Sequence, residues 1–307
     1  MKKILLVIVL FILLGSLIYG GYTLYEELPR NPTQLRIQTL ENPDPINSNQ
    51  FGINQFSPNI RFNHKEISYK IDFDCSSEKR EKMIEAFQTL SKETEILSFI
   101  ESATDIDIQV SCSQIELQKG ENLFIAGEGG PSKYVNNTIY PVILKGRILL
   151  YEQSQCKSSI VEMHELLHVF GFDHSEDKTD MMYPKTDCTQ ELKQAYIQML
   201  KDLYKIEPKS ELYFKEAENI TKAGKYLGFD VMVVNYGIID AKEVNLTIYA
   251  DSQKVESFDL GEINLGEGKR FSVKNLKLPS INTKEIELKI ESNNSEYDYN
   301  NNIIRAN

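Results

Sequence analysis

The run His164-Glu165-Leu166-Leu167-His168-Val169-Phe170-Gly171-Phe172-Asp173-His174 sets three imidazoles, the Glu165 carboxylate beside the first of them and one glycine inside eleven residues. Residues four apart lie on one face of an α-helix. His164 and His168 can therefore turn a ring nitrogen toward one metal ion while Glu165 sits beside them. Gly171 can take the positive φ that ends the helix and reverses the chain, which would bring His174 round as a third ligand. Three nitrogen ligands with a fourth position left to water is the coordination of a zinc ion that does chemistry, as opposed to one that only holds a fold together. In such a site Glu165 is the candidate general base and acid.

A bare His-Glu-x-x-His arises by chance, but the chain has only four histidines and three of them fall in this window. Met182 follows, with Tyr183 and Pro184 directly after it. Alone, a buried methionine in a turn is polarizable packing. After the long-form histidine motif it resembles the Met-turn of the metzincins, the apolar floor beneath the three ligands. His174-Ser175 together with Met182-Tyr183-Pro184 resembles the matrixin branch of that group, over residues 63–206. Astacin-like and serralysin-like relatives carry a tyrosine two residues past the methionine. Pro184 stands there, so no tyrosine ligand is expected. Leu167 occupies a position where animal matrixins usually have glycine. The resemblance implies a zinc endopeptidase acting on protein or peptide substrate, with Zn2+ held by His164, His168 and His174. Matrixin proenzymes often hold a cysteine against the metal, but no cysteine precedes Cys75. Latency would need another ligand, or the enzyme is made active.

These residues need a scaffold, and the chain supplies an order of elements for one. Residues 67–73 alternate as a half-buried strand. Ser77 is a candidate N-cap, with Met83, Phe87, Leu90 and Thr94 at helical spacing behind it. Residues 105–110 alternate again, giving a strand, helix, strand order that makes a parallel pair with a right-handed crossover. Residues 126–131, Ala-Gly-Glu-Gly-Gly-Pro, read as a flexible loop, with calcium binding through Glu128 and carbonyls as the alternative. Strands are expected at 138–144 and 147–151, where a matrixin-like protease places the edge that pairs with an extended peptide. The metal-binding helix should span about 158–170, and a closing helix 191–204 carries Leu192, Ala195, Tyr196, Met199, Leu200 and Leu203 on one face. The fold expected for residues 63–207 is α+β, a twisted mixed sheet with the zinc helix against it.

At both ends the pattern changes. Lys2 and Lys3 precede an apolar run at residues 4–24, and Glu26 and Glu27 follow, so residues 1–25 read as a transmembrane signal anchor with the rest of the chain outside. A cleaved signal peptide, giving a secreted protein, is the runner-up. Residues 26–62 are rich in proline and asparagine and read as a stalk. Past Pro208, short alternating segments at 227–235, 244–250, 254–260, 270–276 and 285–291 are separated by turn residues, the signature of an antiparallel sandwich. Asn235-Tyr236-Gly237, Ala241-Lys242-Glu243-Val244 and Tyr299-Asn300-Asn301-Asn302 resemble the immunoglobulin-like CARDB domain, making residues 208–307 a second, all-β domain. Such a module can hold substrate, contact surface proteins or glycans, or space the enzyme.

Charge and cysteines narrow the setting. A net charge of -11 over 307 residues excludes a nucleic-acid-binding surface, which needs a basic patch. Cys75, Cys112, Cys156 and Cys188 include no Cys-x-x-Cys pair, so two disulfides in an oxidising exterior fit better than a second metal site. Three connectivities are open. The choice is Cys75 with Cys112 and Cys156 with Cys188, each closing a loop within one half of the catalytic domain; four small buried thiols would be the reading in a reducing compartment. Asn136, Asn219, Asn245 and Asn293 each begin a glycosylation sequon. Two rivals to a protease remain: a surface binding or adhesion protein whose metalloprotease domain is vestigial, and a hydrolase acting on something other than peptide bonds.

Overall fold

The computed structural model describes residues 2–28, 30–38, 53–114, 118–120, 123–151, 156–186 and 188–307. The chain divides into two compact units. One contains the described N-terminal residues with Ser210–Asn235 and Asp240–Asn307; the other contains the described part of Asp44–Lys209 with Tyr236–Ile239.

In the second unit a five-stranded sheet runs in the order Ser98–Glu101, Glu66–Ile71, Ile108–Ser113, Val142–Tyr151, Gly127–Val135. The first four strands are parallel and the last is antiparallel. The sheet is therefore mixed. The helix Ser77–Thr94 follows the strand Glu66–Ile71 and buries Met83, Ala86, Phe87 and Leu90; Ser76 caps it, one residue before the expected cap, by accepting from the Lys79 amide. Its crossover leads first to Ser98–Glu101, too short at four residues to show a period, and only then to Ile108–Ser113.

Two expectations are corrected here. Residues 126–131 are no loop: Gly127–Val135 is a strand, paired antiparallel to Val142–Tyr151 from Gly127↔Leu150 to Val135↔Val142. Strands at 138–144 and 147–151 are likewise replaced by one strand, Val142–Tyr151, running straight through Gly146. The glycines misled because glycine weakens a strand and usually marks a break. Here they mark close approach. A Cβ on Gly146 would lie 2.5 Å from Val169 Cγ1 on the helix Ile160–Val169, and this helix presses on Gly127 and Gly129 in the same way. The closing helix is Gln194–Lys205, starting after Glu191, whose backbone is instead bonded to Thr179 and Met181.

The first unit is an antiparallel sandwich of a four-stranded and a five-stranded sheet with Leu212, Phe229, Val231, Leu246, Ile248, Leu288 and Ile304 in its core. Strands at Leu212–Ala223 and Ile303–Ala306 add to those legible in sequence. The stalk reading is also revised. Thr33–Gln34 pairs with Lys222 and Thr221 at the edge of one sheet, and Ile37–Gln38 pairs with Arg305 and Ala306 at the edge of the other. Leu35 between them packs against the sandwich core. The sandwich is thus completed by residues that precede the other unit in sequence. The turn signals at residue 29 and residues 42–45 lie outside the described residues. Burying Leu35 should matter: Leu35→Asp is expected to lower the stability of the sandwich by about 1–3 kcal/mol, read as a shifted denaturant midpoint, through lost apolar burial. An unchanged midpoint would show that the two strands are passive.

The helix Lys2–Glu27 precedes these strands, and its Leu6–Glu27 stretch is long and apolar enough to cross a membrane, a test that a signal sequence also passes. At its end Glu27 pairs with Lys225 and with Lys277 of the sandwich, each at 2.8 Å.

Candidate metal centre and active site

The helix Ile160–Val169 carries His164, Glu165 and His168, and its apolar side, Val161, Leu166, Leu167 and Val169, is buried. Leu167, where the resemblance would place glycine, is fully buried. The helix stops where the sequence predicts: Gly171 has φ 88°, and its amide bonds the His168 carbonyl at 3.0 Å. No other residue fits Gly171, since a Cβ would also stand 2.0 Å from Ile60 Cγ2. The chain then returns with His174. Residues 54–56 brace this return, as the Asp173 amide donates to Asn54 O and the Phe56 amide to Gly171 O.

His164, His168 and His174 come together so that one ligand nitrogen from each lies within 4.8 Å of the others. Among the described residues they are the one such group of three. Glu128, the calcium candidate, belongs to no such group; its carboxylate accepts from the Tyr151 hydroxyl at 3.1 Å. Two ligand rings have their tautomer fixed by the backbone. His164 Nδ1 lies 2.6 Å from Met181 O and His168 Nδ1 2.7 Å from Phe172 O. A carbonyl only accepts, so each Nδ1 carries the hydrogen and each Nε2 keeps its lone pair for a metal. Burial and the neighbouring His168 hold His164 down to about 4, and burial also lowers His168, so both are neutral near pH 7. Donor number, tautomer and charge state all fit zinc.

Met182 is fully buried, and its carbonyl accepts from the Ser175 amide at 2.8 Å, which ties the turn to the residue after His174. Asp180, unmarked in the sequence reading, organises this turn: Oδ1 accepts from the Met182 amide at 2.9 Å and Oδ2 from the Tyr196 hydroxyl at 3.0 Å. A buried aspartate two residues before a Met-turn, with a helix tyrosine to meet it, is a pattern that sequence alone leaves among ordinary acidic loop residues. The carbonyls of Met181 and Phe172 leave no sequence signal at all.

Glu165 is buried beside the ligands. Burial, then the charges of Glu128 and Glu162, push its carboxyl up to about 8, against a hydrogen bond from the Gly129 amide that favours the ionised form. Glu162 itself is fully buried and pairs with Lys79 at 3.5 Å. Burial raises its carboxyl as well.

Disulfides join Cys75 to Cys112 and Cys156 to Cys188. The second ties the approach to the helix Ile160–Val169 to the segment after Met182, closing a separation of 32 residues. Replacing Cys156 and Cys188 together by serine is expected to cost about 2–4 kcal/mol of stability. Calorimetry of the double variant checks this, and an unchanged melting transition would contradict it.

The mixed sheet, the helix ended by Gly171 and the buried Met-turn define a metalloprotease-type domain. Residues 61–205 match the Matrixin family model and residues 211–306 the CARDB model, so the chain carries a matrixin domain followed by a CARDB domain. The matrixin family is zinc-dependent, so the match over residues 61–205 supports, at family level, a zinc metalloprotease. No curated protein matches the chain.

Proposed function

We propose that the chain is a zinc-dependent endopeptidase held at the outer face of a cell membrane by its N-terminal helix. His164, His168 and His174 are the metal ligands, and Glu165 is the general base and acid. The observation that carries this reading is the convergence of three ligand nitrogens within 4.8 Å, two of them on rings whose Nδ1 hydrogens are committed to backbone carbonyls. Zinc bound there would polarise a scissile carbonyl and bring the pKa of a bound water toward about 7.

The residues of the chain do the rest. Glu165 takes a proton from the attacking water and returns it to the leaving amine, so one carboxylate serves as base and then as acid. Its burial favours the protonated acid form, while the charge of a neighbouring dication favours the carboxylate needed for the first step. Met182 moves no proton; it supports the ligand set from below. The strand Gly127–Val135 stands at the edge of its sheet among the described residues, and that edge would take an extended peptide by backbone pairing, which gives affinity with little side-chain selectivity.

The anchor orientation follows from Lys2 and Lys3 before the apolar helix and Glu26 and Glu27 after it, and the two disulfides fit an oxidising exterior. A peptide-library digestion tests the activity directly. New N-termini identified by mass spectrometry, lost on adding a chelator, are expected; intact peptides with zinc bound would contradict the reading.

A further inference from the structure

We propose that Gly127 and Gly129 are positioning residues for Glu165, keeping one face of the edge strand bare so that the helix Ile160–Val169 closes against it at Gly129 and the Glu165 side chain lies over Gly127. This rests on the assignment of Glu165 as the base. The two glycines are two residues apart in a strand and share a face. A Cβ on Gly129 would stand 2.1 Å from Glu165 O, 2.8 Å from its C and 2.9 Å from its Cα. On Gly127 it would stand 2.7 Å from Glu165 Cγ, 2.9 Å from Oε1 and 3.0 Å from Cδ. Every one of these nearest atoms belongs to Glu165. Gly130, on the opposite face, would meet nothing within 4 Å.

Backbone freedom does not explain the first two glycines, since neither has positive φ. Glycine inside a strand also weakens it. What the bare face provides is contact: at Gly129 the strand approaches the helix backbone at Glu165 itself, and at Gly127 it meets the Glu165 side chain. A buried side chain packed against the bare face of a neighbouring strand has little rotamer freedom. The base is therefore located by the sheet as well as by its own helix, as a general base within about 3 Å of its proton requires.

Gly127→Ala is the informative variant, because its methyl meets the flexible end of Glu165, whereas Gly129→Ala meets backbone and can disrupt folding. Gly130→Ala adds the same methyl to the same strand away from Glu165. Measured on the full chain in detergent, Gly127→Ala should keep its zinc and its KM while kcat falls about 100-fold, the scale set by a misplacement of about 1 Å. Gly130→Ala should lose at least about tenfold less. In the metal-free chain labelled with 13C-carboxyl glutamate, the Glu165 resonance, identified by its loss in Glu165→Gln, should move in Gly127→Ala and stay in Gly130→Ala. Equal kcat in the two alanine variants, loss of zinc from Gly127→Ala, or an unmoved Glu165 resonance overturns the proposal. A wild-type chain without chelator-sensitive hydrolysis refutes the protease reading instead, and the resonance still decides whether Gly127 positions Glu165.

Discussion

Glu165→Ala will retain zinc and lose peptide-bond hydrolysis by about 10²- to 10⁴-fold, the range that a positioned general acid and base contributes. The ligand nitrogens come from three other residues, and the two constrained rings are held by Met181 O and Phe172 O, neither of which involves the Glu165 side chain. Metal content and turnover should therefore separate in this variant. Glu165→Gln, which keeps the shape and removes the basicity, is expected to behave the same way. Hydrolysis at the wild-type rate in either variant would place the proton transfer elsewhere. Loss of zinc from both would make Glu165 part of the metal's support.

His168→Ala is the second large effect, and it falls on the metal first. His168 closes a triangle with the other two histidines, its ring centroid 4.6 Å from His164 and 4.7 Å from His174. Removing it leaves two nitrogens where a catalytic zinc needs three protein ligands. Zinc affinity should fall by more than about 100-fold, since loss of an outer partner of a ligand alone costs about 10- to 100-fold. The fold should survive, because the helix is kept by its buried apolar face and the disulfides lie elsewhere. Metal analysis after dialysis against a weak chelator reads the effect. Stoichiometric zinc in the variant would remove His168 from the ligand set.

The convergence of His164, His168 and His174 was legible because it is written in side chains at fixed helical spacing, and Gly171 announced the reversal by being the residue that tolerates positive φ. The buried faces of the helices Ser77–Thr94 and Gln194–Lys205 were legible for a similar reason, since Met83, Phe87 and Leu90, or Tyr196, Met199, Leu200 and Leu203, recur at helical period. What stayed hidden depends on partners distant in sequence. Gly127-Glu128-Gly129-Gly130 looks like a loop until the helix that needs the room is placed beside it. Ser98–Glu101 is a strand because Glu66–Ile71 pairs with it, register Glu66↔Ser98 to Tyr69↔Glu101, and not through any pattern of its own. Thr33–Gln34 and Ile37–Gln38 have the composition of a linker and become strands only against Lys222 and Arg305. The supports of the site are hidden in the same sense: two carbonyls, and one aspartate that matters because Tyr196 meets it.

The central claim is that peptide hydrolysis depends on one zinc ion held by this histidine triad. The most direct measurement strips the protein of metal with a chelator, returns zinc in known increments and follows peptide cleavage at each step. Cleavage should vanish on stripping, rise in proportion to added zinc and saturate at one zinc per chain. Cleavage that persists in the stripped protein, or zinc that binds at one per chain without restoring it, would contradict the account.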